Sequence, residues 1–360
     1  MTKTRAKLLI ALLAAALPAC LLLSVSSGIV PIPLSASLDS LGHGLGLPVD
    51  AIAPQQELIL WSIRWPRTLL AALIGAGLAM CGAAMQGLFR NPLADPSLIG
   101  VSSGGLVGAS IAIVLGATLL SGATDFFGSY FGDFAGILGA YLVSVLAFVG
   151  GFIATLLVYK LATTSGGTSV ATMLLAGIAI NALAAAISNA FNFVADDLAL
   201  RRISLWRMGS IDGANWQRVT IAASVLGLVL VALPRYSRAL NALLLGESEA
   251  RHLGVNVERV KLQLIAWAAL GVGVAVSVSG VVGFVGLVVP HLVRLMIGPD
   301  HRYLMPASAL LGAVLLVLAD CLARTLVAPE EIPIGIVTAL LGAPFFISLL
   351  LQQRQRLLLQ

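Results

Sequence analysis

The uncharged run at residues 262–293 decides the fold; it reads LQLIAWAALGVGVAVSVSGVVGFVGLVVPHLV. A helix that crosses a bilayer needs roughly 20 apolar residues, so this run is too long for one straight span. Glycines interrupt its second half, beginning at Gly280. We therefore divide it into two helices, near 259–280 and 283–297. The pattern is typical of a membrane protein whose spans follow one another closely.

The composition of the whole chain excludes a soluble globular protein. Of its 360 residues, 59% are hydrophobic and only 10% are charged, whereas roughly 25% are charged in an ordinary soluble domain. Disorder is excluded too, because the hydrophobic content is high and the net charge of +5 is small for the length. In a membrane protein a basic balance indicates cationic cytoplasmic loops, so no nucleic-acid partner is expected.

Further uncharged runs predict an all-α membrane protein with ten transmembrane helices. The N-terminal run could be a cleaved signal peptide, but it stays apolar beyond Cys20 and is long enough to span, so an uncleaved first helix is favoured. No separate soluble domain is predicted within 1–360. The ten helices are predicted near 8–28, 68–89, 97–120, 134–159, 170–194, 216–234, 259–280, 283–297, 305–323 and 334–352.

The distribution of charge predicts that both termini face the cytoplasm. In the ten-span arrangement most of the 21 Lys and Arg residues fall on the side of the termini, whereas the opposite side carries more acids than cations. This is the asymmetry that the positive-inside rule requires. The segments on the cytoplasmic side contain Lys3, Arg5, Lys7, Arg90, Lys160, Arg235, Arg238, Arg251, Arg259, Lys261, Arg294, Arg302, Arg354 and Arg356.

The 37 glycines, mixed with alanine in most of the runs, predict a closely packed helix bundle. Small residues let helix backbones approach one another in lipid, where no hydrophobic force drives association.

The chain lacks the residue patterns of an enzyme or of a pump with its own nucleotide site. It has no HExxH, no GxSxG and no GxxxxGK[ST] motif. The four histidines are far apart and the three cysteines have no metal-ligand spacing, so no metal site is predicted and the thiols are interpreted as buried. An ion-coupled secondary transporter would keep ionisable side chains at membrane depth, and these are nearly missing. Asp320 and Arg324 come nearest, and because they are four residues apart they could pair across one helical turn.

The sequence of the cytoplasmic segment 235–258 predicts two short amphipathic helices, the first with one apolar face formed by Leu240, Leu243, Leu244 and Leu245. Gly246 would end the first, Ser248 would cap the second, and Gly254 would stop it. Such a pair suits docking to a soluble partner, but it equally suits a helix pair lying among lipid headgroups. A separate cytoplasmic turn, at Arg90–Gly100, is interpreted as structural, with Asp95 or Ser97 as the cap of the helix that follows.

Several motifs together closely resemble the FecCD-type permease family, over about residues 60–350. They are Arg64-Trp-Pro-Arg67, Arg90-Asn-Pro-Leu-Ala-Asp-Pro-Ser, Trp206-Arg-Met-Gly-Ser210, Leu245-Gly-Glu-Ser-Glu-Ala250, Gly283-Phe-Val-Gly-Leu-Val-Val-Pro-His-Leu-Val-Arg294 and Glu331-Ile-Pro-Ile-Gly. The resemblance implies the membrane subunit of an ABC importer, working as a homodimer with the pore on its two-fold axis. It implies two cytoplasmic ATPase subunits, which bind the ATP, a periplasmic binding protein and location in the bacterial inner membrane.

The resemblance also assigns roles to residues at the two faces of the membrane. Arg64, Arg67 and Arg324 match arginines that dock the binding protein, whereas the alternative is that they extend to lipid headgroups. Within 235–258, one stretch matches the helices that couple to the ATPase. Its residues are Leu245, Gly246, Glu247, Ser248, Glu249, Ala250, Leu253 and Gly254.

The resemblance implies that the fifth, eighth and tenth helices line the pore. The pore-lining candidates, at helical spacing on one mildly polar face of the fifth helix, are Asn181, Ser188, Asn189 and Asn192. Hydrogen bonding between helices is the alternative for these four.

The similarity is closest to the haem branch, and Arg201 and Arg202 could attract the two propionates of haem. Internal pairing of these arginines with Asp196 and Asp197 is the alternative. Ferric siderophores or cobalamin remain alternative substrates, and no permanently bound cofactor is expected.

Overall fold

The computed structural model describes residues 3–44, 46–48, 52–127 and 132–358, and these are almost entirely helical. A π turn at Leu60–Arg64 and short 3-10 turns at Pro96–Ile99 and Leu233–Tyr236 connect neighbouring helices. A two-residue hairpin, β1 at Thr163–Thr164 and β2 at Gly167–Thr168, joins α6 to α7. The helices are α1 Lys3–Ser26, α2 Leu34–Gly44, α3 Pro54–Ile59, α4 Trp65–Leu88, α5 Val101–Phe127, α6 Gly132–Ala162, α7 Val170–Val194, α8 Asp197–Met208, α9 Trp216–Ala232, α10 Ser237–Leu243, α11 Glu247–His252, α12 Val257–Ser279, α13 Val285–Ile297, α14 His301–Thr325 and α15 Ile334–Leu358.

A helix lies at each of the ten positions where the sequence predicts a span. In the described chain, seven helices are long and apolar enough to cross a membrane: Lys3–Ser26, Pro54–Leu88, Tyr141–Ala162, Val170–Val194, Trp216–Leu243, Val257–Ser279 and His301–Thr325. The remaining three positions hold shorter apolar helices, at Val101–Gly116, Val285–Ile297 and Ile334–Ser348. The protein is therefore a multi-span helical membrane protein, and a full count of ten crossings stays a prediction.

Outside the predicted spans the structure also contains α2, α3 and α8. The prediction of buried thiols holds for one of the three cysteines. Cys81 is buried as predicted, but Cys20 and Cys321 are partly exposed on the surface of the described chain.

Glycines allow the helix backbones to touch, which confirms the predicted close packing. A Cβ atom placed on Gly82 of α4 would lie 1.8 Å from the carbonyl oxygen of Gly286 in α13. The same construction on Gly75 of α4 meets the Gly312 oxygen of α14 at 2.2 Å. Side chains cannot be accommodated at such separations, so α4 crosses both partners backbone to backbone and forms the centre of the bundle.

The long uncharged run breaks at residues 280–284, between α12 and α13. Gly280 and Phe284 both have left-handed backbone conformations, with φ of +66° and +67°. The turn after α8 provides a hydrogen-bond partner for main chain at this break, since the Ser210 N–H donates to the Ser279 oxygen at 2.8 Å. The same turn reaches α15, whose Ile334 N–H donates to the oxygen of Gly209 at 3.1 Å.

Candidate functional site

Arg64 is buried at the end of α1 rather than free on the surface. Its guanidinium donates to the main-chain oxygens of Val25 at 2.8 Å and Ser26 at 2.9 Å, and also to that of Val30. The side chain therefore caps the C-terminal turn of α1, where main-chain oxygens have no partner within the helix.

Arg67 and Arg324 enclose one buried carboxylate, that of Asp320. The Nε of Arg67 donates to Asp320 Oδ1 at 2.9 Å, and the Nε of Arg324 lies 3.2 Å from Asp320 Oδ2. Asp320 is only 1% exposed. Arg67 also pairs with the partly exposed Glu331, Nη1 to Oε2 at 2.8 Å, and Arg324 donates to the Ser24 oxygen at 2.7 Å. We call Arg67, Asp320, Arg324 and Glu331 the arginine cluster.

The arginine cluster joins α1, α4, α14 and the loop before α15 at one end of the bundle. The predicted pairing of Arg324 with Asp320 across one helical turn is confirmed. Extension of these arginines to lipid headgroups is wrong for this structure, because Arg64, Arg67 and Arg324 are all buried and hydrogen-bonded inside the protein. Their docking role stays a prediction.

The opposite end of the bundle carries the predicted coupling segment. α10 and α11 are two short helices separated by Gly246, which has φ of +125° and precedes the first residue of α11. Gly254, with φ of +82°, follows α11, and its N–H donates to the Arg251 oxygen at 2.9 Å. The prediction that Ser248 caps the second helix is wrong, because α11 already begins at Glu247.

The coupling segment presents apolar side chains outward. Leu240 and Leu243 are buried against the bundle, whereas Leu244, Leu245 and Leu253 are exposed. The four leucines near α10 therefore do not share one face, since two face inward and two outward. Ala250 of α11 is buried. One side of Glu247–Gly254 therefore packs against the bundle, and the other side is exposed.

Asp300 ties α10 to the start of α14. Its Oδ1 accepts from the Asn241 side chain at 2.7 Å and from the Arg302 N–H at 3.1 Å. Burial opposes ionisation of this carboxyl group, but the hydrogen bonds from Asn241 and Arg302 outweigh it and lower the pKa of Asp300. Its contribution to stability is therefore present above the unfolded-state pKa and is lost as pH falls through the lower folded-state value.

Beside the coupling segment, Lys261 of α12 is buried with three oxygen partners. Its Nζ donates to the Thr168 main-chain oxygen at 2.7 Å, to Glu247 Oε2 at 2.8 Å and to Glu258 Oε1 at 3.1 Å. The other oxygen of Glu258 accepts the Thr168 N–H at 2.8 Å. We call Lys261, Glu247, Glu258 and Thr168 the lysine hub.

The four polar residues of α7 differ in their exposure. Asn181 accepts a hydrogen bond from Ser103 of α5, which agrees with the alternative of hydrogen bonding between helices. Ser188 is buried and Asn192 half-buried, whereas Asn189 is exposed. Among the four, Asn189 alone lies on an exposed surface, and the pore-lining role stays a prediction.

Arg201 and Arg202 lie on α8, not at the end of α7. Both side chains are exposed, and within the described chain neither has an acid within ion-pair distance. Asp196 instead caps α8 by accepting from the Ala199 N–H at 2.7 Å. The alternative of pairing with Asp196 and Asp197 is therefore wrong for this structure.

Comparison with known proteins decides the family. The model of the FecCD transport family matches residues 15–352. The chain belongs to the FecCD transport family.

Two relatives show what kind of FecCD protein this is. The chain is 46% identical over 298 residues to the hemin transport system permease protein of Yersinia pestis, covering 82% of this chain and 84% of the relative. It is 42% identical to the cobalamin import system permease protein of Halobacterium salinarum, covering 91% and 87%. This FecCD protein is therefore a membrane permease of the ABC importer type.

The fold agrees with that of a solved relative. A metal-chelate type ABC transporter in an inward-facing conformation superposes with a TM-score of 0.79 at 31% identity, covering 96% of this chain and 99% of that one. The FecCD permease thus has the ABC permease fold along nearly its whole length.

The sequence reasoning missed Lys261 and Glu331 as members of the two buried clusters. Lys261 is the last charged residue of α12 before an uncharged run that reaches the end of the helix, and a charge beside such a run indicates a buried partner. Glu331 stands in a quoted motif, but no spacing rule connects it to Arg67.

Proposed function

We propose that this FecCD permease imports haem across the bacterial inner membrane. The observation that carries the proposal is the exposed pair Arg201 and Arg202 on α8, which lacks acidic partners in the described chain. Two free guanidinium groups suit the two propionates of haem, since arginine binds carboxylates through paired hydrogen bonds. The identity to a hemin permease supports the same substrate.

The helices next to α8 also suit a passing haem molecule. His, Cys, Met and Tyr are the side chains that hold haem iron. Met173 is the only such side chain in α7, and it is buried; α15 has none in its sequence. α13 carries His291, which is buried, and Met296, which is exposed one residue before the end of the helix. α7 and α15 thus offer no exposed iron ligand, so haem could pass along them without being retained.

The proposed working unit is a homodimer with two ATPase subunits and a periplasmic binding protein. The exposed apolar side chains of the coupling segment support ATPase docking, because such side chains on a cytoplasmic loop need a partner surface. Both termini would then lie in the cytoplasm, on the same side as the coupling segment. If the binding protein docks through Arg67, one of the binding protein's carboxylates would have to replace Glu331, the only partly exposed member of the arginine cluster.

Haem transport is expected to fall when Arg201 and Arg202 are both replaced by alanine. The propionates would lose the two guanidinium groups that attract them at the pore entrance. We expect uptake to drop about tenfold, equivalent to about 1.4 kcal/mol. The measurement is ATP-dependent uptake of haem into proteoliposomes that contain the permease, the ATPase and the binding protein. A ferric siderophore and cobalamin are supplied side by side.

Arg207→Ala is the matched control, because Arg207 is also exposed on α8. It should transport haem at the wild-type rate. Uptake of the siderophore or cobalamin but not haem would refute the substrate, and full uptake by the double variant would refute the guiding role alone.

The coupling segment should fail to bind the ATPase when Leu253 becomes aspartate. Leu253 is 65% exposed, so the substitution should not unfold the permease, but it would place a charge in an apolar contact. We expect ATPase copurification to fall at least tenfold, since a charge left unpaired in an interface costs about 2–5 kcal/mol. Leu326→Asp, 63% exposed at the other end of the bundle, should retain the ATPase. Normal assembly and transport by Leu253→Asp would show that the segment only lies among lipid headgroups.

A further inference from the structure

We propose that Lys261 is a positioning residue that transmits displacement of the coupling segment to the start of α7. This inference rests on the proposed ATPase docking of Glu247–Gly254. It adds a physical connection between that surface and one of the helices proposed to line the pore.

Lys261 is a structural junction between three parts of the chain. The side chain is only 2% exposed, and a buried ammonium group is stable only when its partners satisfy it. Its partners come from α11, from the first turn of α12 and from the hairpin between α6 and α7. Lys261 thus joins Glu247 of α11 directly to that hairpin, and a longer route runs from Arg251 of α11 through Glu258, 3.9 Å away, to the Thr168 N–H.

The hairpin leads directly into α7. Thr168 contributes both of its main-chain polar groups to the lysine hub, the oxygen to Lys261 and the N–H to Glu258. The next residue, Ser169, caps α7 by accepting from the Thr172 N–H. A movement of Glu247 would therefore reach the first turn of α7 through Lys261 and two residues of main chain.

A glycine fixes the hairpin closely against the lysine hub. Gly167 has φ of +111°, and a Cβ atom there would lie 3.0 Å from the carboxylate of Glu258. The contact leaves little free space between the hairpin and α12. A displacement of Glu258 toward the hairpin would therefore press on its main chain at Gly167.

The test compares three variants in the complete complex with ATPase and binding protein. Lys261→Met keeps the length of the side chain but removes its charge. Lys261→Gln leaves two donor hydrogens on a shorter side chain, so it cannot serve the three oxygens that Lys261 binds. Arg259→Met is the control, because Arg259 lies in the same helix, is exposed and forms no ion pair in the described chain. The readouts are substrate uptake, ATP hydrolysis and ATPase copurification.

For Lys261→Met and Lys261→Gln we expect normal ATPase binding but about tenfold less substrate moved per ATP hydrolysed, which lies within the roughly 5–150-fold range usual for coupling between sites. Arg259→Met should keep the wild-type ratio. If Lys261→Met fails to fold, Lys261→Gln decides the question. A wild-type ratio in a folded Lys261→Met or Lys261→Gln would overturn the proposal.

A distance measurement separates this proposal from the substrate assignment. Spin labels at Thr164→Cys and His252→Cys, both exposed positions, would be placed in a background with Cys20 and Cys321 replaced by serine. A second labelled pair joins His252 to Ala171 of α7. With Lys261 present, the distances measured for both pairs should change together when the nucleotide state changes. In Lys261→Met the distribution of distances between His252 and Thr164 should broaden. An unchanged distribution would refute the junction even if haem transport is confirmed, whereas failure of haem transport alone would leave this result intact.

Discussion

Replacing Gly82 by alanine is expected to cost about 3 kcal/mol or more of folding stability, the upper end of what overpacking costs. The new methyl carbon would lie 1.8 Å from the Gly286 oxygen, and main chain cannot rotate away as a side chain can. α4 and α13 would have to separate, which loosens the centre of the bundle. The measurement is the midpoint of thermal unfolding in detergent, together with the yield of monodisperse protein.

Gly227→Ala is the matched control for this substitution. Gly227 also lies within a helix, α9, but a Cβ atom there meets nothing within 4 Å. Alanine should raise stability by about 0.5–1 kcal/mol, because it removes the entropic penalty of a helical glycine. Equal midpoints for the two variants would contradict the backbone crossing described at Gly82.

Asp320→Asn is expected to destabilise the permease by about 3–5 kcal/mol, the cost of leaving buried charges without their partner. Asparagine keeps the shape of the side chain, but Arg67 and Arg324 would then face each other with no carboxylate between them. The ends of α1, α4 and α14 should separate first. Loss of protection from proteolysis at residues 24–30, beside a lowered unfolding midpoint, would report this.

Glu331→Gln controls for the loss of a negative charge at the same cluster. Glu331 pairs with Arg67 but is partly exposed, so we expect a change within about 1 kcal/mol, as for surface ion pairs. A larger effect for Glu331→Gln than for Asp320→Asn would refute the view that burial at Asp320 makes the arginine cluster stable.

The helices were predictable because an uncharged run carries its own signal. α7 was predicted with the bounds that the structure has, 170–194. α5 was predicted to begin at residue 97 but begins at Val101, because Asp95 caps a 3-10 turn and Gly100 adopts φ of +86° before the helix starts. α8 mixes charged and apolar side chains and was missed, although Asp196 and Gly209 are ordinary start and stop signals for a helix.

The buried clusters were only partly predictable because their members are distant in sequence. Asp320 and Arg324 are one helical turn apart, so spacing alone predicted their contact. Arg67 is brought to Asp320 by the packing of α4 against α14, which no local pattern describes. The family resemblance suggested that Arg67 lies on the surface, whereas the packing of α4 against α14 buries it.

The break at residues 280–284 also has a consequence for how the chain enters the membrane during synthesis. α13 has 13 residues, and at 1.5 Å per residue it extends about 20 Å, less than the roughly 30 Å of hydrocarbon. The insertion machinery would therefore not hold α13 as a separate segment, and it would enter paired with α12. The turn at Trp206–Ser210 that supports the break is made earlier in synthesis, so it is already present when the pair arrives. If the chain were made as two fragments divided between α8 and α12, the turn and the break would have to meet before α13 could reach its final position.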